Sequence, residues 1–423
     1  MTQPIQQNLQ KRVLALFLGS IVVLSTAFGL AGPAFAKELT GDGGVSSFYT
    51  WSQELSGKPG ILLRQEPLAA NQALENASSH RRILYTSTDG LDGKSLIVVS
   101  GMLFTPKGAA PEGGWPLVAW AHGTVGVADI CAPSWTPHSQ RNSTYLNFWL
   151  SQGYAVVASD YQGLGTQGGH PYLATRPAAY STLDAIRAVQ KGGFGLADKV
   201  VIIGQSQGGG AAFATAGYAS VYAPELDVRG TVATGTPYFS PEAQVALQAA
   251  RPQDVVDPLL AYNFLAMSLL EQISPDFKLD TYVSDVALPV ARSITSSCFP
   301  AVAMSVIANK LTFSTAYKSD PAATLKDAYA LMGYPTLAVK SPIFMGTGAA
   351  DRDVPPQMQL QLGSDACTAG SVIQAHVYEG LDHSGAVNGS TADSSVFVRA
   401  AFAGQKIAGN CDARPKIPAK PAS

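Results

Sequence analysis

The stretch VIIGQSQGGGAAF, Val201 to Phe213, holds an apolar run that stops at Gly204, a serine set between two glutamines, and three successive glycines. Gly204-Gln205-Ser206-Gln207-Gly208 matches G-x-S-x-G. The residues before it, DKVVIIG, read as a buried strand, and those after it, GGGAAFATAGYAS, as a helix of small residues. A strand that turns sharply into a helix at this pattern lifts the serine hydroxyl clear of the sheet. Glycines two before and two after are needed because side chains there would clash with the neighbouring strand and helix. The N–H of Gln207 then points into the site from a helix N-terminus. The stretch therefore predicts a nucleophile elbow with Ser206 at its tip.

Working outward, the same rhythm recurs. RRILYTSTDGLDGKSLIVVSGMLFTP reads as two strands joined by Gly/Asp turns, and WPLVAWAHG as a strand running into glycine. YLNFWLSQG is a helix closed by glycine, YAVVASDY a strand, STLDAIRAVQKGG a helix with a Ser start, and VRGTVATGTP a strand. Alternating strands and helices predict a mostly parallel sheet with helices on both faces. From about residue 240 to 340 the pattern turns helical, as in VVDPLLAYNFLAMSLLEQI, and we read this as an inserted cap. The rhythm resumes with SPIFMGTGAAD, PPQMQLQLG, VIQAHVYEG and DSSVFVRAAFAGQ. The expected organisation is a core over 37–239 and 341–411, a cap over 240–340, and a Pro-rich flexible tail over 412–423.

A serine hydroxyl needs a base, and the chain order that goes with such an elbow is Ser, acid, His. Two histidines follow Ser206. His376 lies within the strand IQAHVY, where packing is the simpler role. His383, in the loop EGLDHSG just beyond that strand, can reach back to the C-terminal edge of the sheet. Asp351 and Asp353 follow the strand PIFMGTG. Asp351, nearer the strand end, is the candidate to orient the imidazole; Asp353 reads as a turn or surface residue and Asp382 as a loop carboxylate. A second oxyanion donor is expected from the loop AHGTVG, where Thr124 is the candidate beside Gln207. His122 reads as structuring that loop, and His170, in GGHPYL, as a loop histidine with a structural role, lining the site being the lesser alternative. Acyl transfer to water, to an alcohol or from an amide would all run on this machinery, and none requires a metal or organic cofactor. A non-catalytic binding protein is the contrasting reading, disfavoured because serine, acid and histidine positions are all filled.

The first residues carry Lys11 and Arg12, a long apolar run, and the small-residue ending AFA at Ala34–Ala36, which predicts a secretory signal peptide over 1–36 with cleavage after Ala36. Its removal takes away two basic and no acidic groups, so the formal charge moves from −2 to −4. Nothing in that balance suggests a nucleic-acid or anionic-membrane partner. Charged residues make up 14% of the chain, well below the roughly 25% of an average soluble protein. Cys131, Cys298, Cys367 and Cys411 all follow the leader. An even count in an exported chain predicts disulfides, and spacing leaves three pairings open.

HGT followed by DICAPSW, then GYAVVASDYQGLG, the elbow, YAPELDVRGTVATGTP and CFPAV together resemble the secretory lipase family, over nearly the whole chain after the leader. The resemblance implies an α/β-hydrolase fold with a helical cap and lipid or other carboxylic esters as substrates. It further implies Ser206, Asp351 and His383 as the triad and an oxyanion loop around Thr124. By the same resemblance the disulfides are Cys131–Cys298 and Cys367–Cys411, and the cap is where transient contact with a lipid interface is expected. Gln207 departs from the pattern, standing where the family has a small residue, and so alters the wall of the acyl pocket. The loop GLGTQGGHPYL is closer to bacterial than to fungal members, so acyl chain length is not carried over.

Overall fold

The structure, a computed structural model, describes residues 44–240, 252–413 and 415. The expected leader and most of the tail lie outside these residues. Nine strands form one sheet: β1 Leu62–Pro67, β2 Ala77–Thr88, β3 Leu96–Pro106, β4 Trp115–Ala121, β5 Ala155–Ser159, β6 Leu196–Gln205, β7 Asp227–Thr234, β8 Ile343–Gly348 and β9 Ile373–Tyr378. Their order is β1-β2-β3-β5-β4-β6-β7-β8-β9. Pairing is antiparallel from β1 through β3 to β5, and parallel from β5 to β9. This is the α/β-hydrolase fold.

The main helices are α1 Gln140–Ser151, α2 Thr175–Gln190, α3 Gln207–Tyr222, α4 Leu260–Ile273, α5 Phe299–Ala308, α6 Pro356–Thr368 and α7 Thr391–Phe402. Side chains alternate across a strand, and β6 divides its apolar residues accordingly. Val201 and Ile203 pack with Tyr145 and Trp149 of α1 and Phe397 and Val398 of α7. Val200 and Ile202 face the other way, toward Leu183 and Ile186 of α2 and Ala212 of α3. Both faces are thus buried, as a parallel sheet requires.

Between Thr234 and Ile343 the described residues hold no strand, only isolated bridges at Val256–Thr312 and Val283–Tyr317. Here α4 centres a separate apolar core, where Phe264, Leu265 and Leu269 meet Val290, Val302 and Met332. That core also takes in Tyr172 and Ala174, from the loop between β5 and α2, so the segment sits on the C-terminal end of the sheet.

Two elements differ from the sequence expectation. Strand β1 was not anticipated, because LLRQEP is half-buried and polar and shows no apolar alternation. Helix α2 begins at Thr175 rather than at the Ser181 start. Ser181 is instead wholly buried in the helix, donating to Pro177 O and accepting from Gln162 N.

Cys131 is bonded to Cys298, and Cys367 to Cys411. The second bond carries the chain back along β9. There the Asn410 side chain accepts from Ala375 N and donates to Ala375 O, each at 2.8 Å, and Asn410 N donates to Ile373 O.

Candidate active site

Ser206 joins β6 to α3 with φ 59° and ψ −125°. A non-glycine residue rarely adopts such a backbone, which costs of order 1–3 kcal/mol and persists only where its surroundings enforce it. The enforcement is local. A Cβ on Gly204 would lie 1.9 Å from Gly208 O, and one on Gly208 1.9 Å from Ala121 O. Only glycine at both places lets α3 start this close to β4 and β6. Ser206 N donates to Thr234 O at 2.9 Å, which anchors the turn to the end of β7.

The residue just after β7, Gly235, lies against His383: a Cβ there would be 2.7 Å from the imidazole Cε1. His383 Nδ1 donates to Asp351 Oδ2 at 2.7 Å. Both residues are buried, at 6% and 5% exposure. Asp351 is itself held by three donors: Asp353 N and Val354 N on Oδ1, and Gln359 Nε2, from α6, on Oδ2. The other imidazole nitrogen, Nε2, is buried and has no hydrogen-bond partner among the described residues. The site therefore presents an oriented imidazole with one free nitrogen, and a strained serine, on the same C-terminal edge of the sheet. Gly123, at the start of the loop after β4, completes the corner; a Cβ on it would come 3.4 Å from Ser206 Cβ. Thr124 follows, its Oγ1 2.7 Å from the Tyr172 hydroxyl. Gln207 is the first residue of α3, whose opening N–H groups lack intrahelical acceptors.

His376 stacks on Phe344 with ring centroids 4.7 Å apart and stays away from the site. Asp382 accepts from Gly385 N in an exposed turn. His122 stacks on Tyr161 and donates through Nδ1 to Gly123 O, and burial pushes its pKa down to about 4. Two contacts escaped sequence reasoning. Asp353 is more than a turn residue: it accepts from the Tyr262 hydroxyl of α4 at 2.8 Å. His170 Nε2 lies 2.9 Å from Gln207 Nε2, directly behind the elbow. The one available signal was the second glutamine itself, a long polar side chain at a position that favours small ones.

A cavity of about 70 Å³ opens beside Ser206 and Gln207. Leu173, Phe239, Ala266, Met332 and Met358 make most of its wall apolar, and Asp353 stands at its edge. Among the described residues no cluster of His, Cys, Asp or Glu is arranged to hold a metal ion.

The sequence profile of one family, described as secretory lipase, matches residues 130–405. The chain belongs to the secretory lipase family. A probable inactive lipase of Mycobacterium tuberculosis is 26% identical over 188 residues, which cover 41% of each chain; this secretory lipase family member thus spans about two fifths of that curated relative's length. Lipase A of Candida antarctica shares the fold at TM-score 0.67 and 20% identity, over 85% of this chain and 86% of its own. The rice cell wall degrading esterase LipA of Xanthomonas oryzae does so at 0.63 and 21%, over 83% and 100%. A Legionella pneumophila protein described as a putative hydrolase gives 0.68 at 17%, over 82% and 99%. Membership in this family and two disulfides fit an extracellular protein, and no described helix is long and apolar enough to cross a membrane.

Proposed function

We propose that this family member is an exported serine hydrolase of carboxylic esters, working through Ser206, His383 and Asp351. Ser206 Oγ attacks the ester carbonyl while His383 Nε2 takes its proton. Asp351 holds the ring through Nδ1 and stabilises the imidazolium that forms. The N–H groups of Gln207 and Thr124 hold the oxyanion. His383 returns the proton to the departing alcohol, leaving an acyl-enzyme. Water activated by the same imidazole then attacks and releases the acid. The helical segment between β7 and β8 acts as the cap. Its exposed Val286, Met304 and Ile307 suit brief contact with a lipid interface.

One relative is described as a probable inactive lipase, so family membership alone does not carry the activity. What carries it is the buried Asp351–His383 pair with Nε2 left without a partner, beside a serine in a strained elbow. The apolar wall of the cavity favours esters with an apolar part. The test is a fluorophosphonate label together with p-nitrophenyl ester hydrolysis. The wild type should be labelled at Ser206 and active, and Ser206→Ala unlabelled and slower by about 10⁴-fold or more. Near-normal turnover by Ser206→Ala would overturn the assignment.

A further inference from the structure

The side chain of Gln207 is held in one orientation, and that orientation leaves an acceptor without a donor. His170 is buried at 2% exposure. Its Nδ1 lies 2.9 Å from Gln162 O. A carbonyl can only accept, so Nδ1 carries the proton. Burial keeps the ring neutral, with its pKa pushed down to about 4, so Nε2 presents a lone pair. The group facing Nε2 at 2.9 Å must then be the amide nitrogen of Gln207. Turning the amide over would set Oε1 against that lone pair. The ring itself is fixed by stacking on Tyr161, and its backbone carbonyl accepts from Gln272 Nε2.

Gln207 is only 3% exposed, and its Oε1 is buried with no partner among the described residues. A buried acceptor without a donor is costly. The residue borders two cavities. The smaller, of about 10 Å³, is walled mostly by Ala174, Ala178, Ala211 and Met332. It is at the lower limit for a single water. Its hydroxyls, on Thr175 and Tyr334, already donate to Gly333 O and Pro237 O. The larger is the one shared with Ser206.

We infer that the Gln207 side-chain carbonyl is a specificity determinant, accepting a hydrogen bond from a hydroxyl that the ester carries close to its reacting carbonyl. The inference rests on the ester hydrolysis proposed above. A neutral donor fits better than a cation, because the wall around it is apolar and the Asp353 carboxylate is already engaged by Tyr262. A site built to bond a hydroxyl discriminates strongly against the analogue that lacks it, because its own polar group is then left unpaired. The hydroxyl can belong to the acyl chain or to the alcohol.

The experiment measures kcat/KM for matched esters with and without the hydroxyl. One arm compares p-nitrophenyl hydroxybutanoate with p-nitrophenyl butanoate, and the other compares hydroxyethyl butanoate with ethyl butanoate. The proteins are the wild type, Gln207→Met, and His170→Phe, which keeps a ring on Tyr161 but frees the amide to turn. The wild type should favour the hydroxylated ester about tenfold or more in one arm, which identifies the side of the substrate involved. Both variants should bring that ratio close to one. A ratio taken within each protein is insensitive to changes in overall rate, and if one variant does not fold the other still decides. No preference in either arm, or a wild-type ratio in Gln207→Met, would overturn the inference. Fluorophosphonate labelling runs in parallel: labelled protein with flat ratios refutes this inference alone, whereas no label and no turnover of any ester refutes the proposed function as well.

Discussion

Gly235 leaves the space that His383 occupies. With φ +57° it suits glycine, and a Cβ there would come 2.7 Å from the imidazole Cε1 and 2.9 Å from Nδ1. Gly235→Ala should cut kcat/KM by about 10²-fold, because a displacement near one ångström is enough to misalign a catalytic group. Activity assays alongside thermal melts check this, and an active Gly235→Ala would mean that the ring can shift without cost. Asp351→Asn should cost on the order of 10⁴-fold in kcat, through loss of the correct imidazole tautomer. Asp353→Asn alters the bond from the Tyr262 hydroxyl and leaves the imidazole's partner in place, so it should cost less than tenfold. Equal effects from the two substitutions would contradict the assigned roles. The meeting of Asp351 with His383 is legible in the chain, since each stands just past one of two paired strands, β8 and β9. The meeting of His170 with Gln207 is not. It depends on how the loop after β5 folds over the start of α3, and no periodicity records that.

At the scale of elements, α4 and α5 are fastened to the two loops that frame Ser206. Tyr262 of α4 bonds Asp353 after β8, and its ring stacks on Phe299 at 4.4 Å. Phe299 opens α5, and its N–H donates to Val125 O in the loop after β4. The bond between Cys131 and Cys298 closes the same clamp. Replacing both cysteines by serine should lower activity as well as melting temperature, because the loop carrying Thr124 loses its tether. The residues lie 167 apart, for which the chain-entropy model allows roughly 4–5 kcal/mol at most. Unchanged kcat/KM in the folded double variant would show that the loop holds its shape unaided. The apolar strands of the parallel half were readable because burial on both faces leaves continuous apolar runs. Strand β1 was not, because an edge strand with Arg64, Gln65 and Glu66 looks like a loop. The start of α2 was misplaced because Ser181, a good cap by composition, uses its hydroxyl inside the helix instead.

The whole molecule carries its acid sensitivity in buried histidines. Burial pushes His122, His138 and His170 down to about 4, against about 6.5 in an unfolded chain. Between those values the unfolded state binds more protons, so stability rises with pH. Their contribution is complete above about 6.5 and is lost as pH falls toward 4. Asp160 opposes them: burial, ahead of its bonds from Ser100 and Ser134, pushes its carboxyl up to about 6. Its contribution is greatest at low pH and is lost as pH rises through that value. Asp184 and Glu271, also raised by burial, side with Asp160, while Asp92 and Glu225, lowered by bonds from Ser95 and Arg187, side with the histidines. With three strongly depressed histidines on that side, the melting temperature should drop on acidification from about pH 7.5 to about pH 4.5. His122→Asn should make the drop shallower, and a flat profile in the wild type would contradict the argument. The bond between Cys367 and Cys411 acts on a different property, the tendency of one copy to add to another. By clamping the last described residues onto Ala375 and Ile373, it covers the first part of the free rim of β9 with Asn410. An uncovered rim is a template for a neighbouring molecule's backbone. Light scattering on a Cys367→Ser, Cys411→Ser variant should therefore show concentration-dependent aggregation while each copy still turns over ester, so that a reducing environment would remove this protein from solution before it inactivates it.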